Sequence, residues 1–390
     1  APRERSLVDT SRYLPPPIWE EAAGFPSDDQ LEEYVNTLAA LPAPTVQGVP
    51  WTATWGWDRP DLLRYNRVEG PAIGGRYERN LGGPYTLDAS GFFGFVDLMP
   101  KGRLDFQRST VRRQLTLGGY HELQATDSRG RHLGFGNSVY AFLFGRDDGE
   151  YYRASGVDLT WGPPLSARES FEFRAYAERH WDAPVESSFA LFHAFDGSWV
   201  FRPNVIADEV DEVGAELRLS PWWGGESSRT QFGLDLYGQA ASWRATGGGT
   251  GRTGTNYARA SATLRVAIPL VPRRWRLGVE AGLGTTFGDG TPQRQWFLGG
   301  ANTLRGYPAG SARGSSFTRA RLNLARTFDD IGSVSVFGDA GWAGDRGDFD
   351  DGDILYGVGV GGSVLDGLVR FDLSHGLTGP HKQFRIDLYA

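Results

Sequence analysis

Cysteine is absent from the 390 residues, so no disulfide framework or thiolate metal site can be built. Methionine occurs once and histidine six times, and none of the histidines has metal-ligand spacing such as HExxH. Long apolar runs are missing too. No stretch approaches the roughly 18 apolar residues that a membrane-crossing helix needs. No basic, apolar leader precedes Ala1-Pro2, which reads as the start of a processed chain, and no leading cysteine is there to carry a lipid. A formal charge of -7 argues against nucleic acid as a partner. No cofactor motif stands out.

What is abundant points elsewhere. The chain holds 54 glycines, 23 Phe and 13 Trp, yet its mean hydropathy is only -0.38. Aromatic richness with low mean hydropathy is what results when half of each strand faces lipid and half faces water.

Residues 1–66 differ from the remainder. They carry Pro15, Pro16, Pro17, Pro42, Pro44 and Pro50, and one helical pattern from Asp28 to Leu41 with Leu31, Tyr34, Val35 and Leu38 on one face. They are read as a periplasmic tail, a plug or a linker, and residues 67–390 as the barrel. From residue 67 the pattern has period two. Phe171, Phe173, Ala175 and Ala177 alternate with Glu172, Arg174, Tyr176 and Glu178. Ala258, Ala260, Ala262, Leu264 and Val266 alternate with Arg259, Ser261, Thr263 and Arg265. Such runs are about as long as a tilted strand needs to span a bilayer.

A soluble sandwich also alternates, but a second sheet must fill its apolar face. Here the apolar faces mix Ala and Gly with Leu and Val, and the opposite faces carry charges of both signs. Trp161, Trp181, Trp222, Trp223, Trp243, Trp275 and Trp342 lie near strand ends, as an interfacial girdle would. Connections alternate between tight ones (such as 269–273 and 328–332) and long ones (127–151, 183–208, 288–314, 343–352). The expected fold is therefore an all-β transmembrane antiparallel barrel. Fifteen runs are visible, so an even count requires a further strand at 51–57, one hidden in 183–208, or a run wrongly split. Sixteen strands is the expectation, with fourteen the alternative.

Residues 296–307 read Trp-Phe-Leu-Gly-Gly-Ala-Asn-Thr-Leu-Arg-Gly-Tyr, and 336–341 read Val-Phe-Gly-Asp-Ala-Gly. Together they resemble the two signatures of the bacterial surface-antigen superfamily of outer-membrane barrels, which includes BamA-type assembly factors, TamA-type proteins and two-partner secretion transporters. The segment Arg64-Tyr65-Asn66-Arg67-Val68-Glu69-Gly70 is similar to the barrel entry of some members. The resemblance covers residues 64–390.

It implies a long external loop folded back into the lumen. Arg305, Gly306 and Tyr307 would form its latch against Phe337, Asp339 and Gly341, with Phe297, Leu298, Gly299 and Gly300 as support. Period two independently places Asp339 on the polar face of its run. The resemblance further implies a Gram-negative outer-membrane location, with membrane lipids and lipopolysaccharide around the wall and a periplasmic protein as client or partner. The role would be non-enzymatic help in inserting or translocating proteins or lipids. The alternative is a barrel that anchors a periplasmic partner or a separate N-terminal domain. Two departures stand out: residues 1–66 show no POTRA-like βααββ pattern, and the chain ends Leu388-Tyr389-Ala390 where a terminal aromatic is common.

Three weaker signals fit bland readings. Asp372, Ser374 and His375 cannot form a triad, because His375 points to the other strand face. Gly357, Gly359 and Gly361 alternate along a strand as a smooth wall beside the inserted loop. Asp345, Asp348, Asp350, Asp351 and Asp353 read as a solvated external loop, with a calcium site as the alternative.

Overall fold

A computed structural model describes residues 51–55, 62–127, 132–163, 171–224, 228–246, 254–272, 274–328, 332–349, 352–364, 369–379 and 384–389. The helix expected over 28–41 lies outside them. In chain order the elements are β1 (Trp51–Trp55), β2 (Leu63–Asn66), β3 (Gly70–Gly82), β4 (Tyr85–Gly94), β5 (Pro100–Ser109) and β6 (Gln114–Ala125). Then follow helix α1 (Phe135–Phe144), β7 (Tyr151–Gly162), β8 (Phe171–Trp181), β9 (Val210–Leu219), β10 (Trp222–Trp223), β11 (Gln231–Ala245), β12 (Thr255–Val271) and β13 (Trp275–Gly288). The last are β14 (Trp296–Leu298), β15 (Ala312–Gly314), β16 (Ser316–Phe328), β17 (Gly332–Gly344), β18 (Leu355–Val364), β19 (Val369–Gly376) and β20 (Phe384–Tyr389).

All but β14 and β15 join one antiparallel sheet of 18 segments. Two pairs of segments are single strands interrupted along their length. β10 continues β9 along β11 in the same register, Leu219↔Leu236 leading to Trp222↔Gly233. β1 and β2 run in line along one edge of β3, Trp55↔Gly75 being followed by Leu63↔Ile73. Merging these pairs leaves the sixteen staves of the barrel. The extra strand is thus the 51–57 candidate. Residues 183–208 hold only a short 3-10 turn at Leu191–His193.

Alternation is consistent around the wall. Leu104, Phe106, Leu115, Leu117, Val157 and Leu159 point outward and are exposed, with Phe106 opposite Leu117 and Leu117 opposite Leu159. An apolar belt like this is stable only against hydrocarbon. The inner face of the same strands is ionic. Arg103 on β5 meets Asp158 on β7 at 2.9 Å, and Arg174 on β8 meets Asp158 at 2.9 Å. Opposite charges are therefore satisfied across staves, as a low-dielectric wall demands.

The girdle reading needs correction at two positions. Trp161, Trp223 and Trp275 are exposed, but Trp243 and Trp342 are buried. Trp243 shares the inward parity of Gln239 and Ala241, and its Nε1 donates to the Asp289 carbonyl at 2.8 Å. Trp342 is covered by Phe349, 5.0 Å between ring centroids. Nearness to a strand end does not decide facing; parity and loop cover do.

Apart from the β2–β3 turn, the tightest connections lie at one end of the barrel and the long loops at the other. Among their described residues the long loops carry regular structure. Helix α1 occurs where the pattern read only as loop, between β6 and β7. Its C-cap is Gly145 at φ 66°, whose N–H closes on the Ala141 carbonyl at 3.1 Å.

Candidate functional site

The loop between β13 and β16 folds into the bore. Its stem is the β14–β15 hairpin, with Trp296 opposite Gly314 and Leu298 opposite Ala312. Leu298 is buried, and Gly299 adopts φ 121°, where a Cβ would lie 1.9 Å from the Pro308 carbonyl oxygen. Beyond it, the Gly300 N–H donates to Tyr307 O at 2.7 Å, and Leu304 N–H returns to Gly300 O at 3.1 Å. Thr303 Oγ1 donates to the Gly299 carbonyl at 2.6 Å. The Leu-Gly-Gly segment is therefore a compact turn that presents Arg305 at its tip.

Arg305 and Asp339 meet. Nε and a terminal nitrogen of Arg305 donate to the two Asp339 oxygens at 2.8 and 2.6 Å, and the Arg305 backbone N–H adds a third bond at 3.0 Å. This is the two-pronged geometry that a planar guanidinium offers a carboxylate. The guanidinium carbon lies 3.5 Å from the Phe337 ring centroid, so the ring backs the cation. Asp372 on β19 stands 3.7 Å from the same guanidinium, and Arg321 on β16 reaches Asp339 at 3.3 Å.

Gly306 at φ 90° lets the chain turn against the His375–Gly376 backbone. Tyr307 is fully buried. Its hydroxyl lies 2.8 Å from the Tyr356 carbonyl and 2.9 Å from that of Thr378, and it accepts the Thr378 N–H at 3.0 Å. Gly341 faces Leu298 and Leu304. Phe297 is half-buried in the stem, opposite Arg313.

The glycine row of β18 has a role in this packing. A Cβ on Gly357 would sit 2.1 Å from the Arg305 carbonyl oxygen, and one on Gly359 would sit 2.4 Å from the Phe337 ring. On Gly361 it would meet an Asp372 oxygen at 2.1 Å. The wall is bare there because the loop and its partners occupy the space.

A second anchor of the same loop has no counterpart among the motifs. Gln293 and Arg294 enter a buried polar nest on β8 and β9. Arg294 donates to Glu178 and Glu212 at 2.7 Å each and to the Tyr152 hydroxyl at 3.0 Å. Tyr176 and Tyr257 donate to Glu212 at 2.8 and 2.9 Å.

His180 Nε2 lies 2.9 Å from a Glu178 oxygen, which can only accept, so Nε2 carries the proton. Nδ1 then accepts from the Gln293 amide at 3.1 Å. Glu178, His180 and Glu212 bring ligand-type atoms within 4.8 Å of one another, but the Arg294 guanidinium is the cation lodged among them. Sequence reading missed this anchor; the only signal was three polar residues, Gln293, Arg294 and Gln295, between Pro292 and Trp296.

Asp372, Ser374 and His375 do not assemble. Asp372 faces Arg305 and Arg370, Ser374 Oγ faces the Arg385 carbonyl, and His375 packs its ring on Phe384, 4.5 Å between centroids.

At the long-loop end, Arg67 of the entry segment is fully buried. It bonds Asp147 through its backbone N–H at 2.9 Å and pairs with Glu150 at 3.2 Å. Glu69 takes Arg64 at 2.8 Å and Lys101 at 3.1 Å. Burial opposes the Glu69 charge, and these two cations more than offset it, holding its carboxyl below the usual range.

No family model matches the chain, and no curated protein matches it in sequence. Among solved structures, BamA from Haemophilus ducreyi lacking POTRA domains 1–3 matches with a TM-score of 0.53 at 12% identity, over 92% of this chain and 77% of that one. CdiB from Escherichia coli matches at 0.44 and 13% identity, over 88% of this chain and 63% of that one. CdiB from Acinetobacter baumannii matches at 0.40 and 13%, over 87% and 58%. With sixteen antiparallel staves and a long loop turned into the bore, this chain has the fold of a BamA-type transmembrane barrel.

Proposed function

We propose that this protein is a barrel of the surface-antigen type in a Gram-negative outer membrane. On this reading it aids the insertion or translocation of proteins or lipids, and its work is conformational, with no bond chemistry. The observation that carries the reading is the lumen loop, joined to the wall by the two-pronged Arg305–Asp339 pair. A bore that needed only to conduct would not commit a long, doubly anchored loop to filling it. The pair acts as a latch that keeps the loop, and through it the lumen, in one shape. The short-turn end faces the periplasm, where a protein client or partner is met, and lipids with lipopolysaccharide surround the wall.

The test is reconstitution. Proteoliposomes holding the protein should accelerate folding of an added unfolded outer-membrane barrel, scored by heat-modifiable migration, and Arg305→Ala should lower that rate. Equal rates with empty liposomes would reject the assembly role. If a soluble partner co-purified stoichiometrically from native membranes and deletion left other barrels correctly assembled, the anchoring role would replace it.

A further inference from the structure

In an ordinary barrel the first and last staves close the wall with a ladder. Here β20 pairs with β19 along one edge, from Arg370↔Tyr389 to His375↔Phe384. Among the described residues its other edge forms no register with β2 or β3, and no backbone hydrogen bond crosses between them. An open edge in a membrane would leave costly unpaired N–H and C=O groups.

Something does stand at that edge. Helix α1 packs against both β2 and β20. Ala141 of the helix is buried with Tyr65, an outward-parity residue of β2, and with Phe201. Phe142 meets the Tyr65 ring edge-on at 5.4 Å. The three residues after the helix cap then span the gap. Arg146 donates to the Ile386 carbonyl, on the backbone of β20, at 3.0 Å. Asp147 binds Arg67, which follows β2. Asp148 pairs with Arg385 of β20 at 2.5 Å. Outside, Phe142 and Phe144 are exposed and touch the exposed Phe189 and Phe192, at the end of the barrel where Phe384 also lies bare.

We propose that α1 and its 146–148 clasp complete the wall in place of a strand ladder: a helix from the β6–β7 loop is seated in the seam, tied to the first stave by Asp147 and to the last by Arg146 and Asp148, with its aromatic face toward lipid. The wall is built this way whether or not any client passes through it. A helix suits the position because it satisfies its own backbone bonds, so it borders hydrocarbon without needing the strand edges. It follows that the staves separate at this end when side-chain bonds to residues 146–148 let go, with no ladder to unzip.

The absence of native cysteine makes the test direct. Spin labels at Pro71→Cys and Phe384→Cys, both exposed outward positions near the seam, report its width in nanodiscs. The parent should give one narrow distance, and adding Arg146→Ala with Asp148→Ala should lengthen and broaden it. The exchange-reversed pair Asp148→Arg with Arg385→Asp should restore much of the narrow component. A label at Phe144→Cys should relax faster with oxygen than with a water-soluble nickel chelate. An unchanged distance in the clasp variant, or a label at 144 that senses the chelate more than oxygen, overturns the proposal.

If the clasp variant does not fold, amide exchange of the unlabelled parent decides. Seam-facing amides of 384–389 should exchange at least about tenfold faster than those facing β19. Equal protection of both sets would mean that a ladder closes the wall.

Discussion

Arg305 is held between two surfaces of one strand: the Asp339 carboxylate grips its edge and the Phe337 ring lies 3.5 Å beneath its charge. Both partners come from β17, two residues apart, so the strand's own parity builds the receptor. Removing Asp339 takes the two-pronged partner from a buried guanidinium, with Asp372 standing farther off at 3.7 Å. We expect Asp339→Ala to destabilise the folded loop by about 3–5 kcal/mol, read as a lowered midpoint in urea unfolding from detergent. Arg305→Lys should recover only part of this, because an ammonium cannot make both prongs. A midpoint for Asp339→Ala equal to the parent's would show that the pair does not hold the loop.

The glycine row offers a matched comparison. Gly357→Ala should push the loop off the wall, since the new methyl would meet the Arg305 carbonyl at 2.1 Å. Gly338→Ala, whose nearest neighbour lies 4.0 Å away, should be silent. Limited proteolysis within 299–311 checks both: cleavage should rise for the first and stay at the parent level for the second.

Strands and their parity were legible because each depends on local rules, whereas the Arg305–Asp339 contact was implied by the resemblance, parity adding only that Asp339 faces inward. Period two sets facing. The fifteen visible runs correspond to fifteen of the staves, and the sixteenth was hard to see because β1 and β2 are short and interrupted. Helix α1 escaped notice because its sequence, Phe-Gly-Asn-Ser-Val-Tyr-Ala-Phe-Leu-Phe, is mostly apolar and has no side-chain cap at its N-terminus and no charged face. The Arg294 nest was illegible for another reason. Its carboxylates are more than 80 residues upstream, on β8 and β9. No periodicity connects them to the loop.

Arg294 is the sole charge donor to both Glu178 and Glu212 among the bonds from the loop. Arg294→Ala would leave two buried carboxylates facing each other, with His180, the tyrosines and, at Glu178, Arg174 at 3.3 Å as partners. A loss of about 3–5 kcal/mol is expected, and Arg294→Ala with Glu212→Gln should be less damaging than Arg294→Ala alone. Additive effects in a thermal or urea double-mutant cycle would contradict a direct pairing.

Acid should loosen the clasp. Burial disfavours the Asp148 charge, but Arg385, with help from Arg202 and His132, more than compensates and holds its carboxyl below the ordinary value. A carboxyl lowered in the folded state contributes stability above the ordinary carboxylate range and loses it as pH falls through the folded value. The seam should therefore keep one width from neutral pH down to about 4 and widen below that, with Glu69 acting in the same sense at the β2–β3 turn. Seam labels titrated from pH 7 to 3 would show the transition, and Asp148→Asn should remove most of it.

The lumen loop is fastened at two places on the circumference, to β8 and β9 through Arg294 and to β17 through Arg305. Five stave-to-stave steps separate β9 from β17 along the ladder. The segment between these fastenings is a cross-tie. Flattening the cylinder changes the span between its feet, so a squeeze on one flank is transmitted to the other as tension on an arginine. The cross-section is then stiff until one foot slips, and yields abruptly afterwards.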